Sequence, residues 1–204
     1  MGKGRFSKIR GAYAESFARH GDSPAALLWP KGRQHERFEA LVSPFLSNQS
    51  EPITLCDFGC GLGHLQQYLE EKYPRRIEYF GLDMVPELAD EAVRRGRNVR
   101  LIRHDEDIDS FDMIVCSGVF NLRYYEDDYE NEKYVLDRVE SLLTSAKKYF
   151  ACDFMRPDVD FKQDGAWHQP YDTLVASLSR HSRDIELIMR ALPYEYTARV
   201  YKNA

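Results

Sequence analysis

The spacing of apolar positions divides the chain into segments of different period. Residues 6–20 carry a helix-compatible pattern, and Gly21-Asp22-Ser23-Pro24 breaks it with turn chemistry. Residues 33–45 place Phe38, Leu41, Val42 and Phe45 three and four apart, which puts one apolar stripe on a second helix. Pro52 closes this opening part. Beyond it, the apolar runs 53–58, 77–82, 99–102, 113–116 and 149–154 read as buried strands, and 63–71, 86–95 and 134–143 as helices between them. Strands separated by helices predict a parallel sheet with both faces covered, because right-handed crossovers return the chain to the same edge. Residues 184–189 and 196–201 alternate differently. They are joined through Ala191-Leu192-Pro193 with no room for a helix, which predicts an antiparallel hairpin. The expected fold is α/β: a three-layer sandwich around a seven-stranded, mostly parallel sheet with a C-terminal antiparallel hairpin.

Length and composition narrow this further. The chain has 204 residues, 43% hydrophobic and 30% charged, which fits one compact domain over 1–204 with a helical leader, 1–50, and a core, 51–204. A net charge of −5 with scattered basic residues supplies no broad positive face, so nucleic acid is not an expected partner. The local strip Lys31, Arg33 and Arg37 reads either as a seat for one anionic group or as a solvated helix face. Cys56, Cys60, Cys116 and Cys152 form no Cys-x-x-Cys pair and are expected as buried free thiols. No signal peptide, no run of about eighteen apolar residues and no lipidation motif is seen, so the expected setting is the cytoplasm, away from membranes. The acidic stretch 126–132 reads as a solvated loop or a helix start.

The chemistry concentrates in Asp57-Phe58-Gly59-Cys60-Gly61-Leu62-Gly63, a glycine-rich turn between the first strand and the first crossover helix. Gly59 and Gly61 let backbone approach a bound nucleoside, and Gly63 lets the helix start against the strand. Such a turn alone is weak, since an ordinary tight connection has the same look. Gly81-Leu82-Asp83 strengthens it, because Asp83 closes the next strand at the distance where a carboxylate accepts from ribose hydroxyls. The spacing is Gly-x-Gly-x-Gly rather than the dinucleotide Gly-x-Gly-x-x-Gly, which speaks against a nicotinamide cofactor.

From about residue 53 onward the sequence resembles the class I S-adenosylmethionine-dependent methyltransferases, whose first motif, Asp-x-Gly-Cys-Gly-x-Gly, matches Asp57 to Gly63 at every fixed position. The resemblance implies S-adenosylmethionine as cofactor and a Rossmann-like sheet. It implies that Asp57 and Gly63 frame the cofactor turn, that Gly59, Cys60 and Gly61 line the methionine part, that Asp83 holds the ribose and that Met84 packs on adenine. Asp105, with Glu106 as the alternative in His104-Asp105-Glu106-Asp107, is implied for the adenine amino group. Ser117 and Gly118, followed by Val119, Phe120 and Asn121, are implied at the methyl-transfer end. No Asn/Asp-Pro-Pro-aromatic motif occurs there, so planar nucleobase or glutamine nitrogens are not expected acceptors. No acidic metal ligand stands at that strand end, so no metal is expected.

Positioning alone supplies much of the rate of methyl transfer. Where the acceptor is a hydroxyl or a protonated amine a base helps, and histidine suits neutral pH. His168, in Gly165-Ala166-Trp167-His168, is the first candidate and His20 the second; each reads equally as an ordinary packing histidine. Tyr124, Tyr125 and Trp167 are candidate walls of an acceptor pocket, as are Phe120 and Asn121. In this superfamily such leaders fold over the cofactor, which makes Tyr13, Trp29, Lys31 and Arg37 candidate site residues, with Arg37 a planar fork for a carboxylate of cofactor or substrate. The leading expectation is methyl transfer to a small-molecule acceptor, an oxygen first, by a monomer or homodimer. A protein or RNA methyltransferase working with a partner, and a non-catalytic cofactor-binding subunit, are the competing readings.

Overall fold

In a computed structural model, which describes residues 3–28, 33–74, 76–103 and 105–202, seven strands form one sheet in the order β3-β2-β1-β4-β5-β7-β6. The strands are β1 Ile53–Phe58, β2 Ile77–Asp83, β3 Val99–Leu101, β4 Phe111–Cys116, β5 Ala146–Met155, β6 Asp184–Leu192 and β7 Glu195–Tyr201. The first five run parallel, and β7 returns antiparallel beside β5 with Asp153 opposite Thr197 and Met155 opposite Glu195. β6 completes the hairpin. The strand order reverses between β1 and β4, and at such a switch point a crevice opens outside the carboxyl ends of the strands.

Both faces of the central strands are apolar, as a parallel sheet requires. Cys56, Ile114, Cys116, Phe150 and Cys152 point to one cluster with α5 (Asp128–Ser145) and α6 (Tyr171–Leu178). Leu55, Met113, Val115, Tyr149 and Ala151 point to the other, with α2 (Gln34–Leu46) and α3 (His64–Lys72). All four cysteines are buried free thiols. Among the described residues no helix is long and apolar enough to cross a membrane.

Three local features differ from the sequence pattern. Helix α5 begins at Asp128 rather than 134, capped by Asp127, whose carboxylate accepts the Glu130 N–H at 3.0 Å. Its first turns are acidic and carry no apolar stripe, but acids suit a helix N-terminus, where the backbone dipole is positive. Helix α6 has no counterpart in the pattern reading: it is only eight residues long and lies within a connection. Strand β6 runs on through a register shift to Leu192, so the hairpin turns at Pro193-Tyr194, not around Ala191.

The leader packs onto the crevice end of the core. Helix α1 (Lys3–His20) seats Phe6 against Tyr124, ring centroids 5.1 Å apart. The Ser16 hydroxyl donates to the Ala25 carbonyl at 3.1 Å, holding α1 to the 3-10 turn Pro24–Leu27. Ala26 and Leu27 pack with Leu62, Val85 and Leu88. Asp22 then ties the leader to the core: its carboxylate accepts from Arg97 at 2.8 and 2.9 Å and from His64 Nε2 at 2.8 Å. Arg97, at the end of the turn after α4 (Pro86–Arg94), also donates to the Leu62 carbonyl at 2.7 Å and to Gln67 at 2.9 Å. Gln34 donates to His64 Nδ1 at 3.2 Å, which makes Nε2 the hydrogen-bearing nitrogen toward Asp22. Burial opposes ionisation of Asp22, but the Arg97 and His64 hydrogen bonds outweigh it and hold the carboxyl down at about 2. His64 is pushed down by its own burial, against the pull of Asp22.

Candidate cofactor cleft

A cleft at the switch point encloses about 890 Å³ including its open mouth. The turn after β1 contributes Gly59, Cys60 and Gly61, and the end of β2 contributes Asp83, Met84 and Val85. These two pieces are in direct contact, because the Gly61 N–H donates to Asp83 Oδ2 at 2.7 Å. The Val85 N–H donates to Asp83 Oδ1 at 2.8 Å, so the carboxylate is aimed by two backbone amides and keeps lone pairs for further donors. Burial raises the Asp83 carboxyl to about 6 against the pull of those amides. Tyr13, across the cleft, is pushed up to about 12 by burial and by Asp83, so its hydroxyl stays a donor.

Left-handed backbone explains the glycines. Gly59 has φ +74° and Gly61 φ +55°. A Cβ on Gly59 would lie 2.3 Å from Val119 Cγ2, and one on Gly61 2.6 Å from Leu27 Cδ2. The room expected for a ligand beside these two glycines is thus taken in part by side chains that themselves line the cleft. Gly63 also has positive φ, at +71°, and caps α3.

Asp57 lines the same cleft beneath the turn and accepts the Tyr79 hydroxyl at 2.8 Å. Its burial raises the carboxyl to about 7; the Tyr79 bond draws it down, while Asp83 and Asp153 push it further up. A carboxyl raised on folding contributes stability that is complete below about 4 and is lost as pH rises through about 7. Asp57→Asn keeps an acceptor for Tyr79 and cannot ionise. Thermal melts at pH 5 and pH 8 are therefore expected to show the variant gaining on the wild type as pH rises; a constant offset would contradict the raised carboxyl.

The remaining expected residues divide. Ser117, Gly118 and Tyr124 line the cleft, and the Tyr124 hydroxyl donates to the Val119 carbonyl at 2.6 Å. Phe120 points into the core, stacked on Phe154 with centroids 5.9 Å apart. Asp105 is exposed near Arg103, and Glu106 pairs with Arg100 at 3.1 Å; neither lines the cleft, where Ile102 stands on that side. Trp167 is buried outside the cleft lining, its indole donating to Gln169 at 2.9 Å, and Tyr125 packs on Phe6. His20 is exposed at the end of α1, its carbonyl accepting from Ser23, so it does not reach the cleft. Trp29, Lys31 and His104 lie outside the described residues.

His168 is 8% exposed and adjoins the end of β5 through a bridge to Met155. Its Nδ1 donates to the Arg156 carbonyl at 2.6 Å, since a carbonyl only accepts, and Nε2 is buried without a hydrogen-bond partner among the described residues. Arg37 is not part of a basic strip. It is mostly buried and pairs with Glu195 at the start of β7, while Arg33 pairs with Glu36 at 3.8 Å on the surface. The fork expected for a ligand carboxylate is held by a carboxylate of the chain itself.

Glu195 of this pair and Asp153 beside it had no sequence signal. Asp153, 2% exposed on β5, accepts the Gly118 N–H at 2.6 Å and the Ser117 hydroxyl at 3.3 Å. Glu195 is 8% exposed and is raised to about 7 by burial and by Asp153, with Arg37 and Asn121 drawing it down. Asp153 is raised by burial against the pull of Arg37, the Gly118 N–H and Ser117. Among the described residues no group of three or more histidine, cysteine or acidic side chains is arranged to hold a metal ion.

A sheet of this order, with a glycine turn at its switch point and an acid closing the next strand, defines a Rossmann-like α/β domain of the class I methyltransferase kind. Residues 56–146 match the family described as methyltransferase domain. A Mycobacterium tuberculosis protein named as a presumed methyltransferase is 27% identical over 161 residues, covering 76% of this chain and 96% of its own. Magnesium protoporphyrin IX methyltransferase from Synechocystis, solved with S-adenosylhomocysteine bound, superposes with a TM-score of 0.70 at 13% identity over 97% of this chain and 99% of its own. Human N-acetylserotonin methyltransferase, solved with S-adenosylmethionine, gives a TM-score of 0.66 at 14% identity over 100% of this chain and 60% of its own.

Proposed function

We propose that the protein transfers the methyl group of S-adenosylmethionine to a hydroxyl of a small molecule. The observation that carries this is the 2.7 Å hydrogen bond from the Gly61 amide to Asp83 inside one cleft, which joins the two elements a single adenosyl ligand needs. The cleft fits that ligand. Asp83 keeps lone pairs for two ribose hydroxyls, Met84, Val85, Leu88 and Ile102 supply an apolar slot for a flat ring, and the Gly59–Gly61 backbone faces the remaining part. When bound, the sulfonium supplies an already activated methyl group.

The chain's own residues then orient and exclude water. Tyr13 and Leu27 cover the cleft from the leader, Phe38 and Gln34 close it from α2, and Ser117 and Gly118 form the wall at the acceptor end. Tyr124 and Leu122 make that end aromatic and apolar, which suits a compact organic acceptor. The four buried, unpaired thiols suit a reducing compartment such as the cytoplasm. The test incubates purified protein with methyl-labelled cofactor and fractionated metabolite extract, followed by mass spectrometry of labelled products. A labelled small-molecule ether or ester is expected. Label appearing only in protein or RNA would overturn the acceptor class.

A further inference from the structure

The chain buries two acids and one arginine together behind the Ser117–Gly118 wall. Asp153 is one hydrogen bond from the cleft, through the Gly118 amide at 2.6 Å and the Ser117 hydroxyl at 3.3 Å. Arg37 donates to Glu195 Oε1 and also acts on Asp153. Glu195 Oε2 is buried and has no hydrogen-bond partner among the described residues, and neither does the neighbouring Asn121 Oδ1. The Asn121 amide nonetheless acts on Glu195 through a side-chain hydrogen bond, so the two side chains are neighbours. Around the group stand Arg37 from α2, Asp153 from β5 and Glu195 from β7, with Asp153 acting on Asp57 of β1 and Arg37 acting on Tyr13 of α1. His168 lies on the other side of Met155 from Glu195. One guanidinium beside two buried carboxyls favours a single ionised acid, so a proton is held in the group.

We propose that Glu195 holds a proton whose release is set by the charge of the ligand in the cleft: Glu195 gives it up when a sulfonium is bound and takes one back once methyl transfer leaves a neutral thioether. This rests on the methyl-transfer reading. The acceptor O–H bond breaks as the O–CH3 bond forms, the S–CH3 bond breaks with its electron pair left on sulfur, and the acceptor's proton leaves to water through the open mouth of the cleft, while Glu195, outside the cleft lining, takes one proton back from water as the sulfonium charge disappears. Sulfonium plus carboxylate becomes thioether plus carboxylic acid, so the buried charge is the same before and after. Glu195 sits near neutrality, with burial as the main cause, which places both forms within reach at physiological pH.

Calorimetric titration at pH 7 in two buffers of different ionisation enthalpy counts the protons exchanged on binding S-adenosylmethionine and S-adenosylhomocysteine. Both ligands share the adenosyl group, so the contribution of Asp83 cancels in their difference. A downward shift of about one pKa unit predicts roughly 0.4 proton more released with the sulfonium than with the thioether. Glu195→Gln is expected to abolish that difference, to weaken S-adenosylmethionine binding by about fivefold and to leave S-adenosylhomocysteine affinity nearly unchanged. Equal proton counts in the wild type overturn the proposal, as does a difference that survives in Glu195→Gln, which would assign it to Asp57. Should that variant fail to fold, wild-type protein carrying carbon-13 carboxyl-labelled glutamate gives the same answer. One glutamate must titrate near neutrality and move down with S-adenosylmethionine but not with S-adenosylhomocysteine, and its absence overturns the assignment. Failure of both ligands to bind sinks the methyl-transfer reading itself, and the proposal with it; binding with flat proton counts sinks the proposal alone.

Discussion

Asp83→Ala is expected to lower affinity for S-adenosylmethionine by about 100-fold or more. Hydrogen bonds to an ionised group contribute about 1.5–3 kcal/mol each, and the carboxylate offers the ribose two such acceptors. The same oxygens aim the cleft, since they receive the Gly61 and Val85 amides at 2.7 and 2.8 Å. The effect on folding is smaller, because two effects oppose each other. Two backbone amides lose their acceptor, while a buried carboxyl raised to about 6 is removed. The destabilising ionisation of that carboxyl develops as pH rises from about 4 through about 6, so the variant's relative stability improves in that window. Calorimetric binding and a thermal melt on the same sample separate the two readouts. Wild-type affinity in a folded variant would remove the central support for the proposed ligand.

Arg97→Met is expected to be the most destabilising single change at the leader. Its guanidinium is 5% exposed, grips both oxygens of Asp22 and satisfies the Leu62 carbonyl and Gln67. Removing one partner of a buried pair costs about 3–5 kcal/mol, which corresponds to a fall in Tm of roughly 10 °C for a chain of this size. Asp22, held at about 2 chiefly by Arg97 and His64 against its burial, contributes stability present above about 4 and lost as pH falls through about 2. The gap between variant and wild type should therefore narrow below about pH 4. Cofactor affinity is expected to fall as well, because Asp22 anchors the 3-10 turn that sets Leu27 on Gly61. Arg94→Met removes only an exposed pair with Glu91 and should move Tm little, which makes it the control.

Much of the sheet was legible because its signals are local. Runs such as Ile53–Phe58 are mostly apolar, and β1 and β2 are each followed by a helix whose own period is plain. The cofactor turn was legible for the same reason: Asp57 to Gly63 lie together in the chain, and left-handed backbone at Gly59, Gly61 and Gly63 leaves a direct residue signature. Helix α6 was hidden by its length, and the start of α5 was legible only as one of two readings of the acidic stretch 126–132, because its polar first turns are stabilised by a cap and by the helix dipole rather than by an apolar stripe.

By itself, then, the amino-acid sequence determined the α/β class, the parallel core with its terminal hairpin, and the strand–turn–helix and closing acid of the nucleoside cleft, since each is written in residues a few positions apart. The partners of Arg37 were decided only in three dimensions. Glu195 reaches it because β7 pairs antiparallel beside β5, bringing residues 158 positions apart into one buried ion pair next to Asp153. Nor does any local pattern show that Asp22 of a surface-looking turn would meet Arg97 and His64. Burial and charge in such clusters are properties of the packed assembly, and a carboxylate's chemistry follows from what surrounds it rather than from its neighbours along the chain.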